Sequence, residues 1–558
     1  MKKHSLARKI IVSAIFFIVL VVVAPLIILY SLGYRFDKDN EVFIHSGSIV
    51  LKTTPFNVEI KINGQIMPQK SIDLINRSYN INGLNPGSYE VEVNSPGFNT
   101  WKKQVEVHSG IATEFWNVVL IPQELERKTL IEDNLLKYAF SPDKKKIGYF
   151  TEQGGFLTLF VQEGDQNSFV YKESLNQKYV PSAGELKWSP DNQWLLFSLK
   201  KNNKEVIYLT YSSSDNPNYT DVIPVGDLLD NTIASLNNDQ NTDTAAQKNK
   251  KAEVGEINYI WDDQNNIYYS SEGVIYVEPV DTIFNWWTDT SKGTIPLPNN
   301  NQNNQPNQKK TGKTDKTLIL TGDYQPVKIT NKINGFTFCA SLICGVDASE
   351  RKLNLISKKG DLQTQIPLPD NYNATNKYQV FAYSDQLAAI LDENGNLFLW
   401  DDIQNKKENS EGVKFIFSAV KEAYFSNDGK KLLFATDKEA YVYFVREWEV
   451  QPKHSLGDLE LVWQQADELE KVQWYLDYQN IFVINKGEIK LVELDDRSGK
   501  NITVFAQAQN IGNASYDTRE RKLWFTEGED KGIDKLQEIA YPITSGIFSG
   551  LINGGGNN

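Results

Sequence analysis

Cys339 and Cys344 are the two cysteines of this 558-residue chain, close together in Cys339-Ala340-Ser341-Leu342-Ile343-Cys344. The spacing suits a β-hairpin. A tight turn centred on Ser341-Leu342 sets them directly opposite each other as a non-hydrogen-bonded pair, Cα atoms ~4.5 Å apart, at the short end of disulfide reach. The other reading is two buried thiols. A bridge closing so small a loop would be a local clip. Phe284, Trp286 and Trp287 form a second group, at the start of a polar stretch. Exposed, they could stack on sugar rings or anchor a partner; buried, they are core packing between sheets.

Other chemistry finds little support. His4, His45, His108 and His454 share no metal-ligand spacing of the His-x-x-x-His kind. Asp392-Glu393-Asn394-Gly395-Asn396 has the outline of a calcium loop without the distal Glu, and reads as a hairpin turn. The chain has no Gly-x-Ser-x-Gly elbow and no phosphate-cradling Gly-rich Lys-Ser/Thr loop. A glycosidase-like carboxylate pair stays open, because sequence does not fix the separation of its 71 acidic residues. No catalytic, cofactor-binding or metal-binding residue is assigned, and no cofactor is expected.

These groups must be positioned by something, and composition narrows what. The 58 basic and 71 acidic residues give a formal charge of −13, the wrong sign for a nucleic-acid binder, which needs a basic stripe. Hydrophobic residues make up 40%, too many for a wholly disordered chain, and a mean hydropathy of −0.43 excludes a polytopic membrane protein. Ile10 to Tyr34 holds no charged residue and as a helix can cross the ~30 Å hydrocarbon layer. Lys2, Lys3, Arg8 and Lys9 precede it, and basic flanks stay cytoplasmic. Residues 1–9 are therefore expected as a cytoplasmic tail and 10–34 as a transmembrane signal anchor, with the remaining domains extracytoplasmic. The apolar run exceeds the ~7–15 residues of a cleaved signal peptide, and no small-x-small site follows it.

Residues 46–121 read as short alternating strands. Val58 to Ile62 has strict period two and ends at Asn63-Gly64, a strong hairpin signal. Tyr89 to Val93, Val105 to Val107 and Trp116 to Leu120 follow, with one apolar face and one charged, as in a small β-sandwich. The order Gly47-Ser48-Ile49-Val50, Thr54-Pro55, Asn63-Gly64, Gly83-Leu84, Pro86-Gly87-Ser88-Tyr89 and Gly97-Phe98 resembles the PEGA domain, although the eponymous Pro-Glu-Gly-Ala is Pro55-Phe56-Asn57-Val58 here. The resemblance covers about 75 residues and implies a surface or envelope module without catalytic residues.

From residue 130 to 545 one unit recurs: a short strand, a turn rich in Ser, Pro, Asp and Asn, then two apolar strands. Ser141-Pro142-Asp143, Ser189-Pro190-Asp191-Asn192 and Ser426-Asn427-Asp428-Gly429 mark its clearest copies. Pro pre-sets φ for the first corner, and Asn or Gly accepts positive φ at a later one. Weaker copies follow Trp261-Asp262, Phe336, Ser384-Asp385, Leu476-Asp477 and Asp517. Spacings of ~42–52 residues are those of a four-stranded propeller blade. The turns resemble the WD-repeat-like repeats of the Tol-system propeller and of prolyl-oligopeptidase-type propellers, the latter only in the propeller part. The expected fold is thus an all-β ectodomain: a small sandwich, then a seven- or eight-bladed β-propeller. Polar stretches 229–254 and 299–316 are expected as mobile insertions and 546–558 as a loose tail.

The resulting expectation is a non-catalytic, membrane-anchored binding or scaffold protein of the cell envelope, its propeller facing an envelope protein or polysaccharide. The alternative is a glycan-active hydrolase or lyase with its site at the propeller mouth. An acidic and a basic residue converging there with a Tyr or His would distinguish the two.

Overall fold

The computed structural model describes residues 3–541 apart from 38–40, 68–71, 74–76, 133, 176–181, 202–203, 213–221, 226–258, 272–273, 284–326, 331–332, 334, 348, 370–377, 477–478 and 529–533. Phe284, Trp286, Trp287, the stretches 229–254 and 299–316 and the tail 546–558 lie outside the described residues.

Helix α1 runs Lys3–Ser31, and its apolar part, Arg8–Ser31, is long enough to cross a membrane. By length and composition it suits a single-pass anchor or a signal sequence alike. The helix stops earlier than the uncharged run in the sequence. Gly33 takes φ +90°, and Tyr34 already belongs to a strand, Tyr34–Asp37, paired with Val42–His45.

The described residues are otherwise mostly strand, in two compact units. One unit holds residues 1–128, 424–525 and 537–558, and the other 129–423 and 526–536.

In the first unit, strands Gly47–Thr54, Ala112–Val119, Ser78–Leu84 and Ile72–Asp73 form one four-stranded sheet. Gln65–Ile66, Glu59–Ile62, Gly87–Asn94 and Trp101–Val107 form another. Both contribute to one core, with Ile49, Leu51, Ile60, Val91, Val93 and Trp101 buried in it. Alternation explains why: Trp101–Val107 buries every second residue, so one face of the strand leaves water. Asn63 and Gly64 take φ +48° and +77° between Ile62 and its partner Gln65, as a tight hairpin requires.

The remaining sheets are antiparallel meanders in chain order, the strand plan of propeller blades. Among the described residues they span 135–174, 182–211, 259–330, 336–367, 378–417, 422–464 and 471–507, and an eighth joins 511–540 to strand Arg127–Ile131. The second has three strands, with Ile223 bridged to Leu209 beside its third. Neighbouring sheets share apolar cores, as at Phe150, Leu186 and Phe197 in one unit and Val442, Val472 and Ile481 in the other.

The recurring turns repeat one hydrogen-bond set. The Ser141 hydroxyl donates to Asp143 Oδ1 at 2.6 Å and accepts from Lys146 N at 2.9 Å. Ser189 does the same with Asp191 and Trp194 N, and Ser426 with Asp428 and Lys431 N. Three residues after each serine the backbone is left-handed, at Lys144, Asn192 and Gly429. Tryptophans then tie one sheet to the next: Trp188 Nε1 donates to Ala139 O at 2.9 Å, and Trp474 Nε1 to Tyr424 O at 2.9 Å. Each accepting carbonyl lies two residues before a turn serine, so the sequence repeat is also a repeat of inter-sheet linkage.

Candidate functional site

The structure joins Cys339 and Cys344 by a disulfide, both fully buried, with Cα atoms 5.7 Å apart. They do not face each other directly. Cys339 pairs with Leu342 and Cys344 with Thr337, because the turn is Ala340-Ser341 and not Ser341-Leu342. Ala340 takes φ +54°, which moves the register and makes the cysteines diagonal neighbours on one face. The bridge lies in the core shared by the fourth and fifth sheets, beside Leu355, Ile390 and Trp400. It is a packing element and not an exposed redox pair.

The histidines are scattered. His45 stacks on Tyr34 and His454 on Phe444. Asp392 holds its own turn, accepting from Asn394 N, Asn396 N and Asn396 Nδ2, so both its oxygens are engaged. Among the described residues no three His, Cys, Asp or Glu side chains gather in a metal-binding group.

Glu185, Lys187 and Tyr259 do converge, from the first strands of the second and third sheets. Lys187 Nζ lies 2.8 Å from Glu185 Oε2, donates to Tyr259 O at 2.9 Å and sits 4.3 Å from the Tyr259 ring centroid. Burial acts to raise the Glu185 pKa, but Lys187, helped by Lys137 and Lys200, brings the carboxyl below its usual range. Such a carboxyl is ionised at neutral pH and has no proton to give a leaving group. Tyr259 is 2% exposed, and burial pushes its phenol up. The cluster reads as a strut between strands.

A cleft of about 570 Å³ lies between strand Leu362–Pro367 and the segment carrying helix α2, Asp402–Glu408. Buried Trp400 contributes to its wall, with Gln365, Asp402, Asn405, Lys406 and Glu411 around it. Asp401 caps the helix by accepting from Gln404 N, and Asn405 Nδ2 holds the returning loop through Gly412 O at 2.8 Å.

Among the described residues, a dense polar arrangement lies in the other unit, where the two-sheet module meets the seventh meander. Lys103 is 3% exposed. Its Nζ lies 3.3 Å from Glu493 Oε2 and 3.5 Å from Asp495 Oδ1, and donates to Asp495 O at 2.6 Å. Arg497 grips Asp495 with Nε and Nη2, donates to Glu114 O at 2.7 Å and to Gln451 Oε1 at 3.0 Å, and lies 4.2 Å over the Phe115 ring. Gln451 in turn donates to Ala112 O and accepts from Glu114 N. Burial raises the Glu493 pKa despite Lys103 and Asn501. Burial also acts to raise that of Asp495, but Arg497 and Lys103 together bring it below its usual range. Two basic and two acidic side chains thus meet at this joint, with Lys103, Glu493 and Asp495 buried and Arg497 partly exposed.

None of these residues stood out in the sequence reading, although Lys103 left a signal. It occupies an inward position of a period-two strand, in line with Trp101, Val105 and Val107, where a lysine is buried only if paired.

No family model and no curated protein matches the sequence. Among solved structures the chain is similar to the Dos1 propeller, at 11% identity and a TM-score of 0.42 over 74% of this chain and 94% of that one. It is similar to the C-terminal WD40 domain of Sif2, at 10% identity and a TM-score of 0.41 over 75% and 98%. It also resembles the β-propeller domain of Cps50 (Swd1) from Myceliophteria thermophila, at 9% identity and a TM-score of 0.35 over 75% and 100%.

Proposed function

We propose that this chain is a non-catalytic scaffold of the cell envelope. Helix α1 anchors it in the plasma membrane with the basic N-terminus inside, residues 46–121 are a PEGA-like sandwich serving as a stalk, and the meander sheets are the blades of an eight-bladed propeller. The propeller presents a binding surface, the cleft beside helix α2 among its features, to an envelope protein or polysaccharide.

The observation that carries this reading is the Lys103–Glu493–Asp495–Arg497 joint. Burying Lys103, Glu493 and Asp495 costs free energy, which their mutual geometry and the half-buried Arg497 offset only while the partners stay aligned. A stalk fixed in this way holds what it carries at a set attitude, which suits presentation.

The test uses the full chain in lipid nanodiscs, offered envelope proteins and purified cell-wall polysaccharides. Stable capture of an unaltered ligand supports the scaffold. Turnover of a polysaccharide without capture supports the alternative, a glycan-active hydrolase or lyase with its site at the propeller mouth. That reading requires a carboxyl kept protonated near neutral pH, the reverse of what Lys187 does to Glu185.

A further inference from the structure

The hairpin after α1 sits where a membrane surface would be, and it is oily on the outside. Arg8–Ser31 is 24 residues long, roughly 36 Å at 1.5 Å per residue, against a ~30 Å hydrocarbon layer. The helix therefore ends near the headgroups, and strand Tyr34–Asp37 begins three residues later. The exit is pinned. Arg35 Nη1 donates to Tyr30 O at 3.0 Å and to Tyr34 O at 2.9 Å, with its guanidinium 3.7 Å over the Tyr30 ring.

The far end is tied to the two-sheet module. Ser46 Oγ donates to Gly33 O at 2.6 Å, Ser109 Oγ to His45 O at 3.0 Å, and Gly110 N to Ser46 O. A Cβ at Gly33 or Gly110 would lie within 3.0 Å of the His45 ring, so the glycines let the hairpin close down on both neighbours. Held there, it exposes Phe36 (52%), Val42 (48%) and Phe43 (46%). Phe36 and Phe43 are cross-strand partners whose rings meet edge to face at 5.3 Å. The next turn exposes Ile111.

We propose that this hairpin lies in the headgroup layer of the membrane that α1 crosses, as an aromatic foot that fixes the attitude of the stalk. The inference rests on the membrane reading of α1. Its occupant is lipid because the Phe36–Phe43 pair continues an apolar span whose end carries Tyr30 and Tyr34, a residue type enriched at the membrane interface. Residues 35–41 carry Arg35 and Lys38 against Asp37, Asp39 and Glu41, a net charge of −1, so the hairpin offers no basic cluster to anionic lipid and its binding is apolar and insensitive to salt.

The test uses the full chain in neutral phosphatidylcholine vesicles, with Cys339→Ala and Cys344→Ala as background. A polarity-sensitive fluorophore is attached either at Val42→Cys or, inside the span, at Leu20→Cys. Nitroxide lipids labelled near the headgroup should quench the Val42 probe, and lipids labelled deep in the acyl chain should quench the Leu20 probe. Adding Phe36→Ser and Phe43→Ser should abolish the first signal and leave the second. A Leu20 probe quenched beside an unquenched Val42 probe overturns the foot and keeps the anchor. Neither probe quenched overturns the anchor, and the foot with it.

Discussion

Replacing Lys103 with methionine is the sharpest test of the joint. The side chains of Lys103 and Glu493 are 1% and 8% exposed and 3.3 Å apart. At an effective dielectric constant of about 20, that separation corresponds to about 5 kcal/mol of attraction. Methionine fills a similar volume but leaves Glu493 buried with Asn501 as its remaining partner among those described here. Asp495 keeps Arg497. Removing one member of a buried pair costs about 3–5 kcal/mol, because the other charge is stranded.

The pH dependence follows from the sign of each shift. Glu493 has a folded pKa raised by burial, so its ionisation opposes folding and stability is lost as pH rises through the raised value. Asp495 has a depressed one, so its contribution is present above the ordinary Asp range and disappears as pH falls through the lowered value. Without Lys103 the Glu493 carboxyl takes up a proton more readily still. The Lys103→Met deficit should therefore be larger at pH 8 than at pH 5, and Lys103→Met with Glu493→Gln should recover much of it at pH 8. Urea unfolding of the detergent-solubilised full chain, read by tryptophan fluorescence, measures all three proteins. A single variant as stable as the parent at pH 8, or a double variant no better than the single, refutes the reasoning.

Ser189→Ala removes a buried hydroxyl that accepts from Trp194 N at 2.9 Å and should cost about 1–3 kcal/mol for the stranded N–H; a change within error in the same assay rejects the turn's role. Trp188→Phe keeps a ring but loses the bond to Ala139 O, and about 1 kcal/mol with it. Removing both cysteines, Cys339→Ala with Cys344→Ala, should cost less than ~3 kcal/mol because the closed loop is short, and the unfolded, non-reduced parent should take up no thiol reagent. Lys406→Ala breaks an exposed pair with Asp402 at 2.6 Å, worth about 0.3–0.5 kcal/mol. Loss of ligand capture by this last variant, without a shift in unfolding, would place the ligand in the cleft.

The meanders were legible in the sequence because their signals are local. Ser141-Pro142-Asp143 contains nearly every group its turn needs, within six residues. Lys144 at φ +61° was not legible, since lysine has no preference for that conformation. The same gap misplaced the cysteine hairpin: Ala340-Ser341 carries neither Gly nor Asn to mark where the chain turns. Strand Arg127–Ile131 pairs beside Asp534–Ala540, a partnership four hundred residues long that no local pattern announces. Lys431 shows the same limit, being fully buried with its ammonium 3.8 Å from the Trp448 ring centroid although it follows another lysine in sequence.

The joint explains why its chemistry is ionic when an apolar patch would be at least as stable. Two apolar faces can slide or rotate against each other with little penalty, since the hydrophobic effect has no direction. Lys103 Nζ must meet Glu493, Asp495 Oδ1 and the Asp495 carbonyl together, while Arg497 must reach Asp495, Gln451 and Glu114. A rotated dock would leave at least one of these charges buried without its partner, at several kcal/mol. The arrangement therefore selects one attitude among many, and its strength lies in the gap to the alternatives more than in the depth of the chosen state. On the stalk reading proposed above, that gap is the useful quantity, because it decides which way the carried surface faces.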